Sequence, residues 1–394
     1  MEFKLSKKAV HLRRCAMDAF HLRNATDMIF FNAGQPAVDI LPAAMLRDVW
    51  DDMLTNEPQV LAYPSARGDA ELLQALTERM DRRGVAPAVK PEQLIVTNGG
   101  TGAADLIAQL FIDPGDLVLT ETPTFPETLD CFYKDYARLE GVPMDEQGPL
   151  PDALEALVKK ETPRFFYVIP NFQNPTGRCT SLERRKAVVE IARRYGFFIV
   201  EDDPYHDLNF DAAPPASYYS LAPDCTVYMG SLSKIVAPGV RTGWLVLPEE
   251  LMDRAAMMQK ATVLSYPAVI HRAMARLLRR PDFDAHVDEL RLDLKRRYQL
   301  LTGCLGKLVR PEQMTWETPL GGMFLWCHLH TGEDATAFAT RVRDTHHVAF
   351  FPGACFTPDY AGEEHSVRFT FARQTDEQMA EGARRIARAL DEKA

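Results

Sequence analysis

QLIVTNGGTGAADLIAQLFIDPGDLVLTE, running from Gln93 to Glu121, decides the fold because its hydrophobic period switches twice. The first five residues are a short, mostly apolar run, the mark of a strand buried on both faces. Residues 101–111 then place apolar side chains at helical spacing, Asp113-Pro114-Gly115-Asp116 reads as a turn, and residues 117–121 are a second buried strand. Strand, helix and strand in this order make one unit of a parallel sheet.

The unit recurs downstream. Helices expected over 125–137 and 150–160 precede the strand RFFYVIP at 164–170. Residues 180–196 predict a helix that opens with Thr180 and Glu183 at capping-box spacing and stops at Gly196, before the apolar strand FFIVEDD at 197–203. These alternations predict an α/β fold with a mostly parallel central sheet covered on both faces. Past about residue 275 the pattern changes to an Arg-rich amphipathic helix (283–305) and strand-like runs at 321–329, 347–356 and 366–372. A smaller α+β domain is expected there. The expected division is an N-terminal segment (1–45) joining the small domain, a large domain (46–275) and the small C-terminal domain (276–394).

Composition excludes several classes of function. With 394 residues, 46% hydrophobic and 25% charged, the chain has the balance of a soluble globular protein. A formal net charge of -10 and no long Lys/Arg block argue against a nucleic-acid partner. Nowhere do 18 apolar residues run together, and the basic opening has no apolar core before a cleavage site, so no membrane partner and a cytoplasmic location are expected. The seven cysteines are scattered without a Cys-x-x-Cys pair, which fits reduced thiols. The close histidine pairs, His328/His330 and His346/His347, lack partners at ligand spacing, and no metal is expected.

In a parallel α/β sheet, ligands sit at the carboxyl ends of the strands, and distinctive residues collect there. Asn98-Gly99-Gly100-Thr101-Gly102 follows the first strand and Thr122-Pro123-Thr124-Phe125 the second. Asn174-Pro175-Thr176-Gly177, Glu201-Asp202-Asp203-Pro204-Tyr205 and SLSKIVAPGVRTGW (231–244), which contains Lys234, follow later strands. Singly, each has an ordinary reading as a strand-to-helix turn, a solvated carboxylate or a tight turn. The glycines fit neither a Gly-x-x-x-x-Gly-Lys nor a Gly-x-Gly-x-x-Gly loop. Together they meet one set of needs: a lysine amine for an aldehyde, an aspartate for a ring nitrogen, an asparagine for a phenolic oxygen and a helix start for a phosphate. Those are the needs of pyridoxal 5'-phosphate.

NPTG, EDDPY, SLSKIVAPGVRTGW, GMFLW and VRFTFA occur in this order, and from about Asn32 to Arg373 the chain resembles the fold-type I, class I/II pyridoxal-phosphate aminotransferases. It is most similar to their aminoadipate/kynurenine/aromatic group. The resemblance implies transfer of an amino group between an L-amino acid and a 2-oxo acid by a ping-pong route. By position, it makes Lys234 the Schiff-base lysine and proton shuttle, and Asp202 the partner of the ring nitrogen. Asn174 and Tyr205 hold the ring oxygen, Tyr205 standing among the catalytic residues and Asn174 also on the substrate side. Gly100, Thr101, Ser231 and Arg241 hold the phosphate, and Phe125 stacks on the ring. Arg368 clamps the substrate carboxylate and Gly34 lines the substrate side. Tyr63 matches a tyrosine that reaches the phosphate of the neighbouring subunit, which implies a homodimer with shared sites.

The chain departs from its relatives twice. Gly100-Thr101-Gly102 stands where they usually carry Ser-Gln-Gln or Ser-Gln-Ala, and Phe125 where they carry a tyrosine. Other reactions on the same scaffold, namely elimination, cyclisation or oxidative deamination, share Lys234 and Asp202 and stay open at this point. No further acid or base that would commit the chain to them is evident among the motifs. A ligand-sensing domain of a transcription regulator is the non-enzymatic alternative; the acidic charge weighs against it. Arg13, Arg14 or Arg23 could meet a substrate side-chain carboxylate, although a solvated basic segment is the simpler reading.

Overall fold

The computed structural model describes residues 3–20 and 27–392. Among these the strands are β1 (Ile29–Phe30), β2 (Leu94–Asn98), β3 (Leu117–Thr122), β4 (Arg138–Asp145), β5 (Gly148–Pro149), β6 (Phe165–Val168) and β7 (Phe198–Asp202). They continue with β8 (Thr226–Ser231), β9 (Thr242–Val246), β10 (Met314–Trp316), β11 (Phe324–Leu329), β12 (Val348–Ala349), β13 (Phe351–Pro352) and β14 (Ser366–Thr370). An eight-stranded sheet has the order β2-β9-β8-β7-β6-β3-β4-β5. Strands β3, β4, β6, β7 and β8 run parallel, whereas β9 pairs antiparallel with both β2 and β8, and β5 antiparallel with β4. The central strands are buried along their whole length, as the continuous apolar runs predict, with separate apolar clusters packed on the sheet.

The antiparallel run of β9 has a consequence for the site. Its first residue, not its last, lies beside the carboxyl ends of its neighbours: Thr242 pairs with Asn98 and Gly243 with Ser231. Arg241 therefore arrives at the same edge as the strand ends that precede it.

A second sheet, β10-β11-β14-β13, is antiparallel; the helix Ala335–His346 packs on β13 and β14, and the long helix Phe283–Leu308 packs along the C-terminal helix Asp376–Asp391. The N-terminal segment is tied to this part of the chain: β1 pairs parallel with β12, and the Thr370 N–H donates to the Phe31 carbonyl at 2.8 Å. Arg178, in the loop after β6, forms a two-point ion pair with Glu317 at 2.8 and 2.6 Å, which joins the two sheets beside the site.

Two local readings are corrected. The helix expected over 125–137 spans Pro126–Lys134 and is followed by β4, a strand the sequence reading passes over. Only the two-residue β5 lies beyond β4, so most of its residues are not buried, and Arg138, Glu140, Gly141 and Pro143 hide the strand pattern. The helix Leu182–Tyr195 is capped by Ser181, whose side chain accepts from the Arg184 N–H at 3.3 Å, rather than by Thr180. Its other end is as expected, with Gly196 left-handed at φ 75°.

Candidate active site

The strand ends converge on a cavity of about 230 Å³. Of the residues singled out from sequence, Lys234, Asp202, Tyr205, Asn174 and Arg368 line it. So do Gly100, Thr101, Phe125, Ser231, Arg241 and Gly34. Tyr63 does not: it is 86% exposed and stands apart. Its loop is nonetheless held firmly, since Arg67 donates to the Pro91 carbonyl at 2.6 Å and Gln259 to the Ala66 and Val96 carbonyls at 2.5 and 2.9 Å.

At one end of the cavity the helix Gly99–Phe111 begins. Its first turn holds no acidic residue and its N-cap, Asn98, makes no side-chain capping bond. The free N–H groups and the helix dipole favour an anion there. Arg241, left-handed at φ 45°, donates from Nη2 to the Asn98 carbonyl at 2.9 Å. A Cβ on Gly99 would lie 2.6 Å from that nitrogen and would displace the guanidinium, and the backbone there, at φ 70°, is one that favours glycine. Ser231 adds a hydroxyl, fixed by the Ser233 N–H at 3.2 Å.

The floor carries two groups with opposite tendencies. Lys234 Nζ donates to the Gly34 carbonyl at 2.7 Å. Burial pulls this amine down to about 8, with the Glu127 carboxylate acting against the shift. Burial pushes Asp202 up to about 7, while the hydroxyl of Tyr167, donating to Oδ2 at 2.6 Å, holds it down. A cationic ring nitrogen beside Asp202 would relieve its desolvation directly.

At the far end Arg368 is fully enclosed. Its guanidinium stands 4.5 Å from the ring centre of Phe324 and 4.9 Å from those of Phe351 and Phe356. Nη1 donates to Asn174 Oδ1 at 2.7 Å and Nη2 to the Asn32 carbonyl at 2.5 Å, while the buried Nε has no partner. Burial lowers Arg368 to about 10, with Tyr205, Cys355 and the Glu127 carboxylate acting against the shift. An orphaned donor on a buried cation is suited to an anionic ligand. Asn174 also hydrogen-bonds Tyr205, whose ring meets Phe324 edge-on at 5.7 Å. The Phe324 ring also explains Gly34, since a Cβ there would meet it at 2.9 Å.

Anion cradle, amine, carboxylate and buried guanidinium thus follow one another along a single cavity. The residues fit pyridoxal phosphate: cradle for phosphate, Asp202 for the ring nitrogen, Lys234 for the aldehyde. Among the described residues no group of three His, Cys, Asp or Glu side chains could hold a metal ion, and no helix is long and apolar enough to cross a membrane.

The cavity wall also contains Thr128, Met17, Phe351 and Glu127, none of which the motifs indicate, and Ser233, which lies within SLSKIVAPGVRTGW without an assigned role. Glu127 is an exposed acid that the sequence reading did not include in the site. In the first turn of a helix, an acid reads as a dipole partner, which conceals it. Of the three N-terminal arginines, Arg13 bonds Asp130 and the Pro358 carbonyl and lies 4.3 Å from the rings of both Tyr133 and Tyr360, while Arg14 is exposed. Arg23 lies outside the described residues.

The chain is 32% identical to the 2-aminoadipate transaminase of Thermus thermophilus, over 92% of its own length and 90% of that protein's. It is 28% identical to aromatic-amino-acid aminotransferase 1 of Thermococcus litoralis, over 99% and 94% of the two chains. Among solved structures, the kynurenine aminotransferase of Pyrococcus horikoshii in complex with PMP superimposes with a TM-score of 0.92, at 28% identity, over 98% of this chain and 97% of that one. The family description "Aminotransferase class I and II" matches residues 26–386. With cradle, amine, carboxylate and guanidinium in one cavity of a fold-type I architecture, the chain belongs to the class I and II aminotransferases and transaminates with pyridoxal phosphate.

Proposed function

We propose that the chain moves an amino group between an L-amino acid and a 2-oxo acid with Lys234 as the reacting amine. The observation that carries this reading is the alignment of Lys234 and Asp202 on the floor of one cavity, with Arg368 buried at one end and the helix start at the other. Pyridoxal phosphate supplies an aldehyde and a ring that withdraws electrons from the substrate Cα. The chain's own residues do the rest. The N–H groups at Gly100 and Thr101, with Ser231 and Arg241, take the phosphate, and Phe125 covers the ring. Asn174 and Tyr205 hold the ring oxygen and Asp202 the ring nitrogen. Arg368 and Asn174 orient the substrate carboxylate, with Gly34 beside it, and Lys234 Nζ carries the proton from Cα. An amine pulled down to about 8 is partly neutral near physiological pH, which both linkage to the aldehyde and proton abstraction require.

A transaminase stores the amino group on its cofactor, so one amino acid supplied without an acceptor yields about one oxo acid per site and then stops. Addition of a 2-oxo acid restarts turnover. Continued release of ammonia or a cyclised product without acceptor, measured by product analysis, would overturn the reading in favour of elimination, cyclisation or oxidative deamination. The names of the relatives make 2-aminoadipate, kynurenine and aromatic amino acids the first donors to screen.

We further infer a cytoplasmic homodimer with the domain division 1–45, 46–275 and 276–394. Free thiols at all seven cysteines support the location. Tyr63, exposed on a pinned loop, and the exposure of Thr101 and Arg241 support a second copy covering the phosphate end. Tyr63→Phe is expected to weaken cofactor binding by roughly 0.5–3 kcal/mol through one lost hydrogen bond. If Tyr63 serves the neighbour, mixing inactive Lys234→Ala subunits with Tyr63→Phe subunits gives heterodimers with one site that has both Lys234 and Tyr63. A fully active monomer by sedimentation refutes the shared site.

A further inference from the structure

Tyr167 lies at the centre of the large sheet, in the four-residue strand β6 between β3 and β7, and is 0% exposed. A phenol so enclosed needs a partner for its hydroxyl. It has two: Asp202 Oδ2 at 2.6 Å and Thr128 Oγ1 at 3.2 Å. The hydroxyl has a single proton, and the shorter bond, to a carboxylate, takes it. Thr128 then donates to the phenolic oxygen, so a chain of two hydroxyls runs from the cavity wall, which Thr128 lines, to Asp202. The Phe132 ring stands edge-on to Tyr167, 5.6 Å away at 77°, and fixes the ring.

This arrangement occupies one oxygen of Asp202 and leaves the other for the cavity. We propose that Tyr167, backed by Thr128, is a positioning residue that keeps the Asp202 carboxylate ionised and turned with its second oxygen toward the cofactor ring nitrogen, and so sets the strength of electron withdrawal. The inference rests on the reading of Asp202 as the ring-nitrogen partner. Tyr167 remains a donor throughout, because burial and the Asp202 charge both push its own ionisation far above the usual phenol range. Asp202 sits where burial favours its neutral form, against which the Tyr167 bond acts. Without that bond the carboxyl retains its proton more readily, and the ring nitrogen shares less of it.

The test uses the purified holoenzyme and its Tyr167→Phe variant, which keeps the ring and removes only the hydroxyl. A proton on the ring nitrogen repels a second proton at the nitrogen that joins Lys234 to the cofactor. Weaker ring protonation therefore shifts the pH midpoint of the cofactor's visible absorbance upward. Tyr167→Phe is expected to show this upward shift, weaker binding of pyridoxal phosphate to the apoenzyme, and a kcat lower by about ten- to a hundredfold with KM for the amino acid little changed. Thr128→Val is expected to shift the midpoint in the same direction by less, and Thr128→Ser to restore it; this pair serves if Tyr167→Phe does not fold. Asp202→Asn separates the two layers of the argument. If Asp202→Asn moves the midpoint while Tyr167→Phe and Thr128→Val leave it at the wild-type value, the positioning role is wrong. If Asp202→Asn itself leaves midpoint and affinity unchanged, the Asp202 assignment fails first. The Tyr167→Phe/Asp202→Asn double variant is expected to shift no further than Asp202→Asn alone, since both act through one carboxylate; additive shifts would overturn the inference.

Discussion

Lys234→Ala yields a folded protein whose transamination falls by at least ~10⁴-fold, the upper end of what one positioned acid–base group contributes, because the same amine also makes the covalent link. The fold should tolerate the change. Lys234 is half-buried, its one recorded bond is to the Gly34 carbonyl at 2.7 Å, and the loop that carries it is held independently by Ser231, Ser233 and the β8–β9 pairing. Truncation also removes a cation that burial disfavours. The side chains proposed to hold the phosphate and the ring are untouched, so the variant is expected still to bind pyridoxal phosphate, though reversibly. Borohydride reduction followed by peptide mapping is the direct check: the wild type retains the cofactor on the peptide containing Lys234, and the variant on none. The same trapped linkage in the variant would assign the chemistry to another amine.

How far the sequence discloses this molecule depends on how local each determinant is. Strands β2, β3, β6, β7 and β8 are legible because burial on both faces demands uninterrupted apolar runs. Strand β4 lacks that demand, being only partly buried, and its charges read as loop. Each glycine, lysine or aspartate at a strand end belongs to a short motif, so the cofactor side of the cavity could be assembled from the order of motifs. The contacts that tune those groups span long separations. Tyr167 meets Asp202 from 35 residues away, and Arg368 meets the Asn32 carbonyl from 336. A tyrosine within RFFYVIP and an acid at a helix start give no local sign of facing a site. The polar hydroxyl of Tyr167 in an otherwise apolar strand is the one available signal, since it must find a buried partner somewhere.

Replacing Arg368 has the second largest expected effect, and its cause lies in the desolvation of its pocket. The guanidinium is enclosed by Phe324, Phe351 and Phe356, is lowered to about 10 by burial, and has one donor, Nε, without a partner. A substrate carboxylate arriving there supplies the missing charge and acceptor together, and the aromatic walls keep water from competing. Arg368→Ala is therefore expected to weaken amino-acid and oxo-acid binding alike by ~2–5 kcal/mol, about thirtyfold in KM at the lower limit. Part of this loss passes through Asn174, whose Oδ1 loses the bond from Nη1. Arg368→Lys tells the two contributions apart: an ammonium keeps the charge but not the planar fork, so it should recover only part of the affinity and leave the orientation of Asn174 unrepaired. Binding of pyridoxal phosphate, measured by titration of the apoenzyme, should change little in either variant, because the phosphate cradle lies at the other end of the cavity and neither Lys234 nor Asp202 on its floor is altered. A loss seen in cofactor retention alone, with KM unaltered for both substrates, would show that Arg368 supports the cofactor side and that another group clamps the carboxylate.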